Sequence, residues 1–134
     1  MTELLNRIAG IVGPQGLLAG VDVSGRAAGF MGLTTCLAKA IVRPASTAEL
    51  SAVMKLCHAA GQVVVPAGGN TGLVHGNVCQ PDDIQISLER MRGIEAIDPV
   101  GRTMIVGAGC PVQAAQEAAA VQGLKFAVDW GARG

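Results

Sequence analysis

The stretch Pro66-Ala67-Gly68-Gly69-Asn70-Thr71-Gly72-Leu73-Val74-His75-Gly76 places four glycines in the nine residues from 68 to 76, directly after the apolar run Gln62 to Val65. That run is apolar without alternation, the pattern of a strand covered on both faces. A chain leaving such a strand through glycines can adopt left-handed φ values, turn successive N–H groups to one side and form a concave nest for an anion. A phosphate or pyrophosphate is the natural guest, with the Asn70 amide and Thr71 hydroxyl as further donors; each donor facing a charged oxygen contributes on the order of 1.5 to 3 kcal/mol. The same composition also suits a tight turn that holds no ligand, so composition alone leaves both readings open. Two better-known phosphate loops are excluded. No Gly-Lys-Ser/Thr follows, and Leu73 to Val78 lacks the helical period that a GxGxxG loop must open into.

The residues before the loop fix its setting. Ala40 to Arg43 is a β-prone run closed by Pro44, and Ser46-Thr47-Ala48-Glu49 has the form of a capping box. Leu50, Val53, Met54, Cys57 and Ala60 then follow as one helical stripe that Gly61 ends. Residues 40 to 65 therefore read as strand, helix, strand. Upstream, Leu4, Leu5, Ile8 and Val12 predict a helix over residues 2 to 12 behind Thr2 as N-cap, and residues 13 to 38 read as irregular with at most one short helix. Downstream, Asp83 to Leu88 predicts a strand, and Ile94 to Ile97 and Thr103 to Val106 a hairpin about Asp98-Pro99-Val100-Gly101. A helix from about Pro111 to Gly123 presents small residues, and Phe126 to Val128 begins a last strand six residues before the chain stops, as at an exposed loop or in the N-terminal piece of something longer.

Composition removes several functions. The 10 basic and 10 acidic side chains cancel and are scattered, and the aromatics are Phe30, Phe126 and Trp130, so neither a polyanion-attracting field nor a base-stacking platform is available, and nucleic acid is not an expected partner. Cys36, Cys57, Cys79 and Cys110 form no CxxC pair, and with His58 and His75 they do not complete a ligand set, so no metal site is expected. They read as buried or half-buried apolar residues in a reducing compartment. The longest apolar stretch, Ala27 to Val42, is interrupted and shorter than the roughly 20 residues of a spanning helix, and no leader-type run opens the chain. A cytoplasmic, soluble chain is expected.

Other candidates are weaker. Cys57 and His58 are helix neighbours and point about 100° apart, so they do not pair for catalysis. Asp82-Asp83 reads as a solvated turn, and Glu89, Arg90 and Arg92 as surface charges.

Four separated segments occur in one order: Pro66 to Leu73, Ser87-Leu88-Glu89-Arg90-Met91, Asp98 with Ala108-Gly109, and Asp129-Trp130-Gly131-Ala132-Arg133-Gly134. Together they resemble the FAD-binding domain of the vanillyl-alcohol oxidase and p-cresol methylhydroxylase (PCMH) type, in the branch of D-lactate, glycolate and D-2-hydroxyglutarate dehydrogenases. The resemblance runs from about residue 20 to 134. It implies an α+β, two-subdomain PCMH-type FAD-binding fold that is incomplete, with a first βαβ subdomain and the start of a second sheet. Residues 1–38 form an N-terminal helix and irregular segment, and residues 39–134 the N-terminal part of the FAD-binding domain. By that likeness Pro66, Gly68, Gly69, Asn70, Thr71, Gly72, Leu73 and Gly76 contact FAD around its pyrophosphate, and Asp129, Gly131 and Gly134 belong to a second cofactor-contacting segment. Trp130 either contacts the flavin or packs.

The departures carry equal weight. His75 and Val23 stand where this branch usually has Gly and Trp, and a side chain at 75 would crowd the cofactor or hydrogen-bond to it. Asn70 occupies the position where covalent relatives attach flavin through His, so FAD is expected to be non-covalent. Relatives continue into Ile-Gly-Gly-Asn and Asn-Ala-Gly-Gly stretches and a substrate domain, where the groups that bind and deprotonate a 2-hydroxy acid would lie; no catalytic residue is expected here. The implied function is the FAD-binding portion of a flavin-dependent 2-hydroxy-acid dehydrogenase or oxidase, with the hydroxy acid a partner only of a full-length relative. The alternative is a non-catalytic truncated product or stand-alone nucleotide-binding module with weak or no FAD binding. Apolar surface left uncovered would favour self-association.

Overall fold

The computed structural model describes residues 2–29, 32–129 and 131. The chain divides into two compact units, residues 1–90 and 91–134.

In the first unit, α1 spans Glu3–Val12, with the Thr2 hydroxyl accepting from the Leu5 N–H at 3.4 Å. Strand β1 (Leu17–Ala19), helix α2 (Val21–Ser24), and strands β2 (Ala27–Ala28) and β3 (Thr34–Thr35) follow, then β4 (Ala40–Val42), α3 (Thr47–Ala59), β5 (Val64–Ala67) and β6 (Ile84–Ser87). Among its described residues, the expected irregular segment 13–38 thus holds the short helix α2 and three short strands as well. Strands of two or three residues carry too few side chains to establish a period, and β1 exists only because it pairs antiparallel with β4, Leu17 opposite Val42.

The main sheet has the order β1-β4-β6-β5, with β6 parallel to both its neighbours. The strand-helix-strand reading is correct in its elements, but β6 lies between the two strands. The strand expected at Gln62 to Val65 is displaced to Val64–Ala67, and it is an edge strand rather than one covered on both faces. Pro66 gives the reason, because it has no N–H for a second ladder and is tolerated where one side of the strand is free. The central position falls to β6, all four of whose residues are buried, Gln85 and Ser87 included.

Alternation along the strands splits the core. Ala40, Val42, Ile84 and Ile86 pack with Leu5, Ile8 and Val12 of α1 and Val53 and Cys57 of α3. The opposite face sets Ile41 with Val23, Ala28, Cys36, Ala38 and Cys79. Full burial of each Ile or Val contributes about 1.5 to 3 kcal/mol. The capping box forms with one change: Ser46 Oγ accepts from the Glu49 N–H at 3.2 Å, while the Glu49 carboxylate reaches back to the Ala45 N–H at 2.8 Å. Within the expected stripe of α3, Val53 and Cys57 are buried and Met54 is exposed. Gly61 follows the helix at φ 61°, as expected of its end.

The second unit holds the expected hairpin, β7 (Ile94–Asp98) against β8 (Thr103–Val106), whose turn is closed by Asp98 Oδ1 accepting from the Val100 and Gly101 N–H groups at 3.0 Å each. Helix α4 (Val112–Val121) buries Ala115 and Ala119. Phe126 to Val128 forms no strand, contrary to expectation. Among the described residues of this unit β7 and β8 pair only with each other, and Val128 is held instead by its carbonyl accepting from Gln116 Nε2 at 2.6 Å.

Candidate functional site

β5 delivers the chain into a surface cleft of about 290 Å³ lined by Pro66, Gly68, Gly69, Asn70, Thr71, Gly72, Val74, Gly76 and Asn77. Seven of these are expected site residues, and the expected Leu73 is exposed without lining the cleft. Val74 and Asn77 were not anticipated from sequence. Asp129 and Gly131 belong to the second unit, where Asp129 is exposed, and Gly134, like Trp130, lies outside the described residues.

The loop's backbone differs from the expectation in one respect. None of Gly68, Gly69, Gly72 and Gly76 is left-handed; those conformations are taken by Asn70, at φ 55°, and His75, at φ 56°. Asn tolerates that region because its short polar side chain bonds locally, and here Asn70 Oδ1 accepts from Asn77 Nδ2 at 2.7 Å. The glycines are not required by crowding either. A Cβ added at Gly68, Gly72 or Gly76 meets nothing within 4 Å, and at Gly69 only the Thr71 methyl, at 3.8 Å. Four residues without side chains, needing neither glycine's dihedral freedom nor its small size within the chain, keep a surface bare for something that is not part of it.

The polar groups agree. Among the described residues, no backbone N–H from Gly68 to Gly76 donates to another protein group; the loop's internal bond is Val78 N–H to the His75 carbonyl, at 3.1 Å. The Thr71 hydroxyl and Asn70 Nδ2 also make none. No lining residue carries a charge, so the cleft offers neutral donors to an anion. These features fit the diphosphate of a dinucleotide. His75 neither lines the cleft nor crowds it, because its ring rests on Gly29, where an added Cβ would come within 3.2 Å of His75 Nδ1.

The Ser87 to Met91 segment is more structural than its expected surface charges suggested. Glu89 is bonded by both Arg26 and Arg43, and Arg90 donates to the Arg43 carbonyl at 2.8 Å. Burial would raise the Glu89 carboxyl, but the hydrogen bonds from Arg43 and Arg26 outweigh it and hold its pKa below the ordinary value. Of the expected solvated pair, Asp82 is exposed in a turn, whereas Asp83 is buried, with its carboxylate accepting the Gln80 N–H at 2.7 Å. Cys57 is buried while its neighbour His58 is exposed, so the two do not pair. Cys36, Cys57 and Cys79 are buried and Cys110 is half-buried, all as free thiols. Burial, reinforced by the adjacent Cys36, pushes the Cys79 thiol up to about 11, and burial also raises Cys57 against the lowering effect of Lys39. Among the described residues no group of three His, Cys, Asp or Glu is placed to hold a metal ion, and no helix is long and apolar enough to cross a membrane.

Comparison with known proteins places this chain in a family. Residues 38–134 match the family described as an FAD binding domain. The D-2-hydroxyglutarate dehydrogenase of Xanthomonas citri pv. viticola is 42% identical over 95 residues, 71% of this chain and 20% of that protein. The probable mitochondrial D-2-hydroxyglutarate dehydrogenase of Oryza sativa subsp. indica is 34% identical over 125 residues, 92% of this chain and 22% of that protein. The chain therefore spans about a fifth of the length of these relatives. Among solved structures, an alkyldihydroxyacetonephosphate synthase superposes with a TM-score of 0.83 at 18% identity, over 96% of this chain and 26% of that one. Substrate-bound p-cresol methylhydroxylase superposes with a TM-score of 0.75 at 14% identity, over 91% of this chain and 25% of that one. These two likenesses establish the α+β fold of the PCMH type. Since the family match extends over more than half of its residues, the chain belongs to the FAD binding domain family, and its cofactor is FAD.

Proposed function

We propose that the amides from Gly68 to Gly72 hold the FAD pyrophosphate, with Asn70 Nδ2 and the Thr71 hydroxyl as side-chain donors, in a flavin-dependent 2-hydroxy-acid dehydrogenase of the D-2-hydroxyglutarate or D-lactate type. The observation that carries this reading is the bare cleft wall, with glycines that the chain itself does not require beside N–H groups that the chain does not use. The two D-2-hydroxyglutarate dehydrogenases above supply the first substrate class, and the sequence likeness the second. Because the chain covers about a fifth of those proteins, the oxidation is proposed for a protein of their length, and the cofactor-binding part of it for these residues. Residues 39–134 are the N-terminal part of that FAD-binding domain, and the sequence likeness makes Asp129, Gly131 and Gly134 a second cofactor-contacting segment.

Bound FAD supplies a two-electron acceptor for the substrate's CH–OH group, and the protein supplies position and polarity. The chain's own contribution is anion binding by main-chain amides that no other described protein group occupies. Attachment is non-covalent, supported by Asn70, whose amide nitrogen is not a nucleophile, at the covalent position of relatives. Four free thiols support a reducing compartment such as the cytoplasm.

Titrating the 15N-labelled chain with FAD tests the site. The amide resonances of residues 68–73 are expected to move first and most; shifts confined to other segments, or none at all, would leave the non-binding alternative in possession.

A further inference from the structure

Gln85 is a buried polar residue on the central strand, 6% exposed, that cofactor binding as described does not use. Its Nε2 donates to the Asn77 main-chain carbonyl at 3.1 Å and to Cys79 Sγ at 3.6 Å. Asn77 is thereby tied to the most buried strand of the sheet, and its side chain extends to the cleft, where Nδ2 donates to Asn70 Oδ1 at 2.7 Å.

This chain of bonds has a polarity. A primary amide has one oxygen that only accepts and one nitrogen that only donates. With Asn70 Oδ1 engaged by Asn77, the group left free on Asn70 is Nδ2, a donor at the wall of the cleft. Were Asn77 absent, the Asn70 amide could turn over, and its oxygen would then repel a phosphate.

We propose that Asn77, anchored by Gln85, is a positioning residue that fixes which end of the Asn70 amide is offered to the diphosphate. The inference rests on the pyrophosphate assignment above. It adds that recognition depends on a residue that need not touch the cofactor.

The test is a double-mutant cycle on the whole chain, with ADP as the probe and affinity read from amide shifts. Asn70→Gly removes the side chain at a position where glycine accepts the left-handed backbone, and Asn77→Ala removes the positioning donor. Asn77→Ala is expected to weaken ADP binding by about tenfold in the otherwise unchanged chain and to have no further effect in the Asn70→Gly background. A purely structural role would weaken binding equally in both backgrounds, and that result overturns the proposal, as does an unchanged affinity in Asn77→Ala alone. Failure of the underlying site assignment looks different: ADP would then leave the resonances of residues 68–73 unmoved in the unmutated chain. Urea unfolding of each apo variant separates lost binding from lost structure.

Discussion

Glu89 and Arg26 stand 63 residues apart in the chain and meet through two parallel hydrogen bonds, of 3.0 and 3.1 Å. The same carboxylate takes a third, from Arg43 at 2.9 Å, and Arg43 also donates to the Gln15 carbonyl. One acidic side chain just past β6 thus fastens the segment around α2 to the end of β4. The Arg26 side chain is 42% exposed and that of Arg43 19%, so solvent screens the first partner more than the second.

A pH dependence follows from this carboxylate. Its pKa is lower folded than unfolded, so the stability it contributes is present above the ordinary value of 4.5 and is lost as pH falls through the depressed folded value. Urea midpoints are expected to fall with acidification through that window. In Glu89→Gln the fall is shallower, and Arg43→Met destabilises more than Arg26→Met at neutral pH. Equal acid sensitivity of Glu89→Gln and the parent chain would remove Glu89 from the account.

The cleft glycines yield a prediction in which stability and binding move apart. Gly68 is not left-handed and has open space at its Cβ position, so Gly68→Ala is expected to leave apo stability unchanged or raise it by about 0.4 to 1 kcal/mol through the unfolded chain. FAD binding should nevertheless weaken, and Gly69→Val, which carries more bulk, should abolish it. Flavin fluorescence titration beside urea unfolding reads both. A Gly68→Ala chain that is destabilised, or that binds FAD normally, would show that the bare wall serves the protein itself.

Legibility in the sequence tracked the range of the interaction. Thr2 and Ser46 as caps, Gly61 as a helix stop and the Asp98 turn are decided within four residues, and each formed as read. Insertion of β6 between β4 and β5 depends on pairing over some forty residues, and no local pattern encodes it. Pro66 is a local clue to an edge strand, but the apolar run before it points the other way. The glycine loop was visible as a site, yet the residues that take its left-handed turns, Asn70 and His75, were not, because glycine composition shows where freedom exists and not where it is used. Asn77 escaped for the same reason as Glu89, since a lone polar residue acquires its role only from its partner.

The cysteines differ in accessibility, which orders their chemistry. Cys36, Cys57 and Cys79 are buried, and Cys79, with its thiol pushed up to about 11, holds almost no thiolate near neutral pH. Cys110 is half-buried. A thiol-reactive reagent under native conditions is therefore expected to modify Cys110 first and the other three only after unfolding, as mass mapping of the adducts would reveal. Early labelling of Cys79 would contradict its burial in the core beside Cys36.

Two glycines of the second unit separate close approach from simple turn chemistry. Past β8, the Gly107 N–H donates to the Gly93 carbonyl at 2.8 Å and the Gly109 N–H to the Met91 carbonyl at 2.9 Å, which draws this stretch against Met91 to Gly93. A Cβ on Gly107 would fall on the Met91 carbonyl, a backbone group that cannot rotate aside, whereas a Cβ on Gly93 meets nothing within 4 Å. Neither residue is left-handed, so any difference between their alanine variants reports on space alone. Gly107→Ala is expected to destabilise the hairpin by about 1 to 3 kcal/mol through forced overpacking, while Gly93→Ala stays near neutral. Amide exchange of β7 and β8 measures this locally, with faster exchange in Gly107→Ala only. Matching exchange in the two variants would mean that the crossing near Met91 is looser than its hydrogen bonds require.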